Sequence, residues 1–241
     1  MKAVANRLIG EMTIIETVKS ESGLYTLAQA ALFARMPFNT LNYWHYGTKS
    51  RVPLRASEVA REDGKFVTFL EFIEAVAIRS LRQKRNISLP KIREAIKEAQ
   101  DKYQIKYPFA QEVHKTVVVG KDIHILLHQD AQLIGLSGKD KAQASFKPFL
   151  EPYMENMRFN ADKIACEFIA YRYGDGDKVI TMNPQFGFGE PMVGKTGYPA
   201  ETLYQAAVAE GSIEKVCEYY EVDRESVAAA CIYWEGLSLS A

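Results

Sequence analysis

Pro37 is the residue that most constrains this chain. Its ring fixes φ at a helical value and removes an N–H, so it is excluded from a helix interior but suits a helix's first turn. It therefore divides the run from Tyr25 to Tyr46 into two short helices joined by a tight turn. Ahead of it, Thr26 is a good N-cap, and Gln29, three residues on, can return a hydrogen bond to the cap. Leu27, Ala30, Ala31 and Ala34 repeat at helical spacing, and their small side chains let a second helix cross closely. Behind it, Leu41 and Trp44 are three apart and face inward, leaving Phe38, Asn39, Thr40, Asn42, Tyr43 and His45 outside. This spacing predicts a helix-turn-helix over Thr26 to Trp44. The plainer reading is a helical bundle with a solvated basic face.

The outward side chains are of the kind that read a DNA groove. Asn can pair bidentately with adenine, Thr and Tyr can bond phosphates or bases, and a helix N-terminus favours a nearby phosphate. Gly47 stops the second helix, and Thr48 to Arg55 follows as a short basic strand or loop where a wing is expected. There Lys49, Arg51 and Arg55 supply attraction to the phosphate backbone that does not depend on sequence. Charge is distributed accordingly. Net charge is zero, yet residues 1–102 hold 17 Lys and Arg against 11 Asp and Glu, and residues 103–241 hold 13 against 19. A polyanion prefers the first half.

Further along, Thr68 and Glu71 form a second capping-box pattern. It opens a helix whose apolar face is Phe69, Phe72, Ile73, Val76, Ala77 and Leu81, with Arg79, Arg82, Lys84 and Arg85 crowding its end. Ser88 and Pro90 open another, with Ile92, Ala95, Ile96 and Ala99 inward. Tyr25-Thr26-Leu27, Thr40 to Trp44, Phe69, Ile73 and Ser88 to Arg93 together resemble the winged DNA-binding domain of MerR-type regulators, over roughly residues 24–102. The resemblance implies a winged helix-turn-helix. Asn42 stands where that family commonly has Arg, which leaves a phosphate contact absent or supplied by Lys49 or Arg51. The long dimerising helix of those regulators is also missing, so a dimer must form elsewhere.

Between Tyr107 and Tyr173 the pattern shifts to strands, including Lys115–Val119, Asp122–Leu127 and Ala165–Arg172. The turn signal Gly120-Lys121-Asp122 pairs the first two as a hairpin in a small antiparallel sheet. His124 and His128, with Asp122 and Asp130 nearby, could share a metal ion. Without a third ligand in a recognisable motif, structural or surface histidines are the better reading. No nucleophile-and-base arrangement appears, so no catalytic residue, cofactor or metal is assigned. Gly189 to Thr196 matches the literal pattern of a phosphate loop. Gly197 and Pro199 follow where the loop's helix should already run, and no room remains for a nucleotidase core.

After Pro199, Glu201–Glu210 buries Leu203, Ala206 and Ala207, and Gly211 ends the helix. Ser212 caps a helix with Ile213, Val216 and Cys217 inward; Asp223 caps a third with Val227, Ala230, Cys231 and Trp234 inward. Asn183-Pro184, Glu190 to Leu203, Gly211 to Val216, Tyr219-Tyr220 and Val227 to Trp234 resemble short bacterial antitoxin-like domains encoded beside PIN-like ribonuclease toxins, over about residues 182–236. With the first half, the chain resembles a long-form VapB-type antitoxin. Tyr198–Ala241 holds 2 basic and 8 acidic side chains. Phosphates repel such a surface, so this bundle is expected to bind protein, either a second copy or a basic toxin.

The expected fold class is α+β and mainly helical. It comprises a winged helix-turn-helix domain (1–105), a small antiparallel β connecting region (106–181) and a helical bundle for dimer or toxin contact (182–241). The three cysteines are widely spaced, which disfavours disulfide or zinc use. With no membrane-spanning run or signal segment, a cytoplasmic location is expected. The expected activity is non-enzymatic: a homodimeric antitoxin and autorepressor that binds operator DNA and a PIN-like ribonuclease toxin. The alternative is a stand-alone MerR-like regulator whose middle sheet takes a small effector.

Overall fold

The computed structural model describes residues 23–57, 59–61, 64–112, 114–119, 122–127, 132–135, 149–150 and 152–238. The chain is α+β, with helices and antiparallel sheets gathered into two compact units. The first unit takes the residues up to Pro37, Val59–Phe69 and those from Glu167 onward; the second takes Phe38–Glu58 and Leu70–Cys166. The units interleave along the chain.

In the first unit, β1 (Gly23–Thr26) leads directly into α1 (Leu27–Phe33). The expected capping box is present: the Gln29 N–H donates to the Thr26 hydroxyl at 3.2 Å, and the Thr26 N–H donates to the Gln29 side-chain oxygen at 3.0 Å. Two of the orphan donors of the first turn are thereby satisfied. Strand β1 pairs with β3 (Gly64–Thr68), which also pairs with β2 (Ala60–Arg61). Strand β9 (Ala165–Tyr173) forms a hairpin with β10 (Lys178–Met182), and β11 (Met192–Val193) pairs on the far edge of β10.

Helices α5 (Ala200–Glu210), α6 (Ile213–Tyr220) and α7 (Arg224–Ser238) complete the unit. Gly211 ends α5 in the left-handed conformation, Ser212 caps α6 through the Lys215 N–H, and the Asp223 carboxylate accepts from the Ser226 N–H at 3.0 Å. Leu203, Val216, Val227, Ala230 and Trp234 are buried as their spacing predicts, while Ala206, Ala207, Ile213, Cys217 and Cys231 are half-buried. Phe33 meets Tyr25 and Trp234 edge-on at 6.0 and 6.3 Å. Arg35 reaches over the Tyr233 ring to the Gly236 carbonyl at 3.3 Å. Helix α1 is therefore tied to the last helix of the chain.

The second unit holds α2 (Phe38–Tyr46), nearly all of α3 (Phe69–Arg85), and α4 (Leu89–Tyr103). Strands β4 (His114–Val119) and β5 (Asp122–Leu127) pair antiparallel with Val119 opposite Asp122, the expected hairpin register. Strand β6 (Gln132–Gly135) joins β5, and β7 (Phe149–Leu150) joins β4. Strand β8 (Met157–Phe159) lies beside the opening of β9, where the Cys166 thiol donates to the Arg158 carbonyl at 3.5 Å. Ile92, Ala95, Ile96 and Ala99 form the buried face of α4, and Phe72, Ile73 and Leu81 are fully buried on α3. Burial of each large side chain contributes about 1.5–3 kcal/mol. Lys91 on α4 is ion-paired with Asp122 on β5.

Helices α1 and α2 thus form on either side of Pro37 as predicted, but they belong to different compact units. No helix among the described residues is long and apolar enough to cross a membrane.

Candidate nucleic-acid interface

Helix α2 has a buried side and an open side. Leu41 and Trp44 are buried, as their spacing requires. Asn39, Asn42, Tyr43 and Tyr46 recur at i, i+3, i+4 and i+7, and all four are at least partly exposed. They make one polar stripe along the helix, with Phe38 and Thr40 at its N-terminal end. Tyr46 is absent from the sequence-derived set, although the same spacing that selects Asn39 and Tyr43 would have found it.

The turn after the helix is pinned to it. The Gly47 N–H donates to the Tyr43 carbonyl at 3.0 Å, and Thr48 and Arg51 exchange backbone hydrogen bonds at 2.8 and 3.2 Å. The tip of this turn exposes Lys49 and Arg51. Beyond it, the Arg55 N–H donates to the Trp44 carbonyl at 3.0 Å and the Ser57 N–H to the His45 carbonyl at 3.1 Å. Carbonyls that a helix C-terminus leaves orphaned are thereby satisfied by the returning chain. The Arg93 guanidinium donates to the Pro53 carbonyl at 2.6 Å and holds the same segment from α4.

Two of the nine sequence-derived candidates are corrected by burial. Arg55 is not a surface cation: its guanidinium donates to the Glu74 carboxylate at 3.1 Å and to the Lys106 carbonyl at 2.8 Å, and lies 4.4 Å from the centre of the Tyr107 ring. The other Glu74 oxygen accepts from the Phe109 N–H at 2.9 Å. Burial pushes the Glu74 carboxyl above its usual range, against the pull of Arg55 and the Phe109 N–H. The pair therefore anchors the turn to α3 and leaves no charge for a phosphate.

His45 is the second correction. It is 3% exposed, and neither ring nitrogen has a hydrogen-bond partner among the described residues. Burial, reinforced by the Arg55 charge, holds its pKa down at about 3, so the ring is neutral at physiological pH. The remaining candidates, Phe38, Asn39, Thr40, Asn42, Tyr43, Lys49 and Arg51, lie on α2 and its turn with some exposure.

The other chemical candidates separate cleanly. His124 is buried on β5 opposite Val117 and Gly135; burial lowers its pKa, partly opposed by Asp122. Its proposed companions His128 and Asp130 lie outside the described residues, among which no group of three or more potential metal ligands occurs. In the phosphate-loop look-alike, β11 gives way to a turn at Gly194 to Thr196, and the next helix starts only at Ala200. The Thr196 hydroxyl donates to the Val193 carbonyl at 2.7 Å and accepts from the Tyr198 N–H. Its hydroxyl is thereby engaged in closing a turn.

Residues 180–234, from β10 into α7, match a family model described as a protein of unknown function (DUF433). The chain is also similar to Rv2018 from Mycobacterium tuberculosis, a protein solved by X-ray crystallography. The TM-score is 0.55 at 19% sequence identity, covering 87% of this chain and 97% of that one. At that identity the likeness is one of fold. No curated protein matches the chain.

Proposed function

We propose that the chain is a DNA-binding antitoxin and autorepressor of a toxin–antitoxin module, with α2 serving as the reading helix of a winged helix-turn-helix. One observation carries this reading: the polar stripe of α2 and the cationic tip formed by Lys49 and Arg51 follow each other directly on one pinned element. Asn39, Asn42 and Tyr43 are the side chains proposed to meet base edges, and Lys49 and Arg51 those proposed to meet phosphates. The acidic helices α5 to α7 are the part proposed to hold a basic, PIN-like ribonuclease. A homodimer on a two-fold symmetric operator fits this mode of recognition.

Electrophoretic retardation of DNA from upstream of the chain's own gene tests the reading. Wild type is expected to bind at low salt. K49A/R51A is expected to weaken binding across all sequences and to reduce the slope of log affinity on log salt by about 1 per lost contact. N39A is expected to relax sequence preference with little change in the slope. Failure of wild type to retard the DNA at low salt would overturn the proposal.

A further inference from the structure

The segment joining β10 to β11 presents two aromatic side chains to solvent. Phe186 is 67% exposed and Phe188 is 85% exposed. The backbone beneath them is closed on itself: the Phe186 N–H donates to the Asn183 carbonyl at 2.9 Å, the Gly189 N–H to the Phe186 carbonyl at 3.1 Å, and the Glu190 N–H to the Gly187 carbonyl at 2.9 Å. Three consecutive residues, Gly187, Phe188 and Gly189, have φ of 56°, 56° and 85°. The buried Tyr25 hydroxyl donates to the Gly189 carbonyl at 2.8 Å, and a Cβ at Gly189 would lie 2.6 Å from that hydroxyl. Phe188 is thus a bulky non-glycine residue in the left-handed region, held there by its neighbours and aimed at water. Exposed apolar groups and retained strain of this kind mark contact surfaces.

Charge selects the occupant. The loop runs into Glu190, and the Ala200 N–H donates to the Pro191 carbonyl at 2.8 Å, which places the exposed Glu201 close behind it. In the same unit, Glu201, Glu218, Glu221 and Glu235 are exposed and make no ion pair among the described residues. Nucleic acid is disfavoured because its phosphates would meet carboxylates. A second copy docked two-fold through this loop is disfavoured because an isologous contact sets the same acidic unit against itself.

We propose that Phe186 and Phe188 are paired anchors that enter an apolar cleft, rimmed by Lys and Arg, on a basic partner protein. This inference rests on the antitoxin reading, with the proposed ribonuclease as the partner. The carboxylates steer the encounter, and the two rings hold it.

The test uses the full chain and the purified product of the adjacent gene. F186A/F188G removes both rings, and glycine suits the φ at 188, so thermal stability and DNA retardation are expected to match wild type. The double variant is expected to bind the partner more than about thirtyfold more weakly. E201K/E218K is expected to slow association and flatten its salt dependence. Wild-type binding that survives F186A/F188G unchanged would overturn this inference while leaving the antitoxin reading standing. No binding by wild type would overturn both. A wild-type dimer that F186A/F188G converts to monomer in sedimentation would make the loop a self-interface and overturn the proposal.

Discussion

Helix α2 and the helices of the bundle α5 to α7 are both bounded by tight turns, yet the two regions treat charge in opposite ways. Around α2, a basic stretch of sequence is sorted by burial. Lys49 and Arg51 stay outside, while Arg55 goes in, where Glu74, the Lys106 carbonyl and the Tyr107 ring surround it. Around the bundle, ion pairs stay at the surface: Lys178 of β10 spans Asp223 and Glu225, Lys215 meets Glu210, and Arg224 meets Glu214. Buried pairs are costly to break from one side, because the abandoned charge remains desolvated, whereas exposed pairs contribute little. The α2 region is therefore held in part by a buried charge pair, whereas the ion pairs of the bundle lie at its surface.

The largest expected effect breaks the first of these. Arg55→Ala leaves Glu74 buried beside Glu71 and is expected to destabilise the chain by about 3–5 kcal/mol in denaturant unfolding. R55M/E74L removes both charges and is expected to recover most of that loss. Lys178→Ala, on β10 facing the start of α7, is expected to leave the unfolding midpoint where it was. If Arg55→Ala proves as silent as Lys178→Ala, the contrast between the regions fails.

Next in size is a pH effect that belongs to the α2 region. Unfolded histidine titrates near 6.5; His45 in the fold is held at about 3 by burial and by Arg55. Between those values the unfolded chain binds a proton that the folded chain refuses. Its contribution is present above pH 6.5 and is lost as pH falls toward 3, by up to about 1.4 kcal/mol per pH unit. The Glu74 carboxyl, raised by burial, contributes with the opposite sign. H45Q is therefore the comparison that isolates the histidine: its stability is expected to fall less steeply than wild type between pH 6 and 4. Parallel profiles would mean that His45 is accessible to protons in the folded state.

The same contrast explains what could be read from the sequence. The Thr26–Gln29 capping box, the inward face Ile92, Ala95, Ile96 and Ala99, the Val119–Asp122 hairpin and the stop at Gly211 all stand in the structure where local spacing puts them. Each depends on residues within about a helical turn or a hairpin. Arg55 did not yield to that logic, since its partners lie 19 and 51 residues away. His45, four residues after Leu41, stands at the inward spacing, which the polar character of its ring had masked. The gathering of α1 with the C-terminal helices, through Arg35, Tyr233 and Gly236, is equally non-local. The exposed stripe of Asn39, Asn42 and Tyr43 was legible because helical spacing decides it.

The smallest effect tests the bundle's side of the comparison. The Ser212 hydroxyl accepts from the Lys215 N–H at a long 3.4 Å and donates to the Glu214 carboxylate at 3.0 Å, which in turn accepts from the Arg224 side chain at 3.1 Å. Every contact of this cap lies in α6, its start or the opening turn of α7. Loss of an N-cap hydroxyl costs about 0.5–2 kcal/mol, and a hydrogen bond this long belongs at the lower end. S212A is therefore expected to cost about 0.5–1 kcal/mol in denaturant unfolding, with amide exchange accelerated in α6 and unchanged in α2 to α4. A loss comparable to that of Arg55→Ala would mean that the bundle depends on one cooperative contact after all. An exchange change reaching α2 would mean that the two units do not open independently.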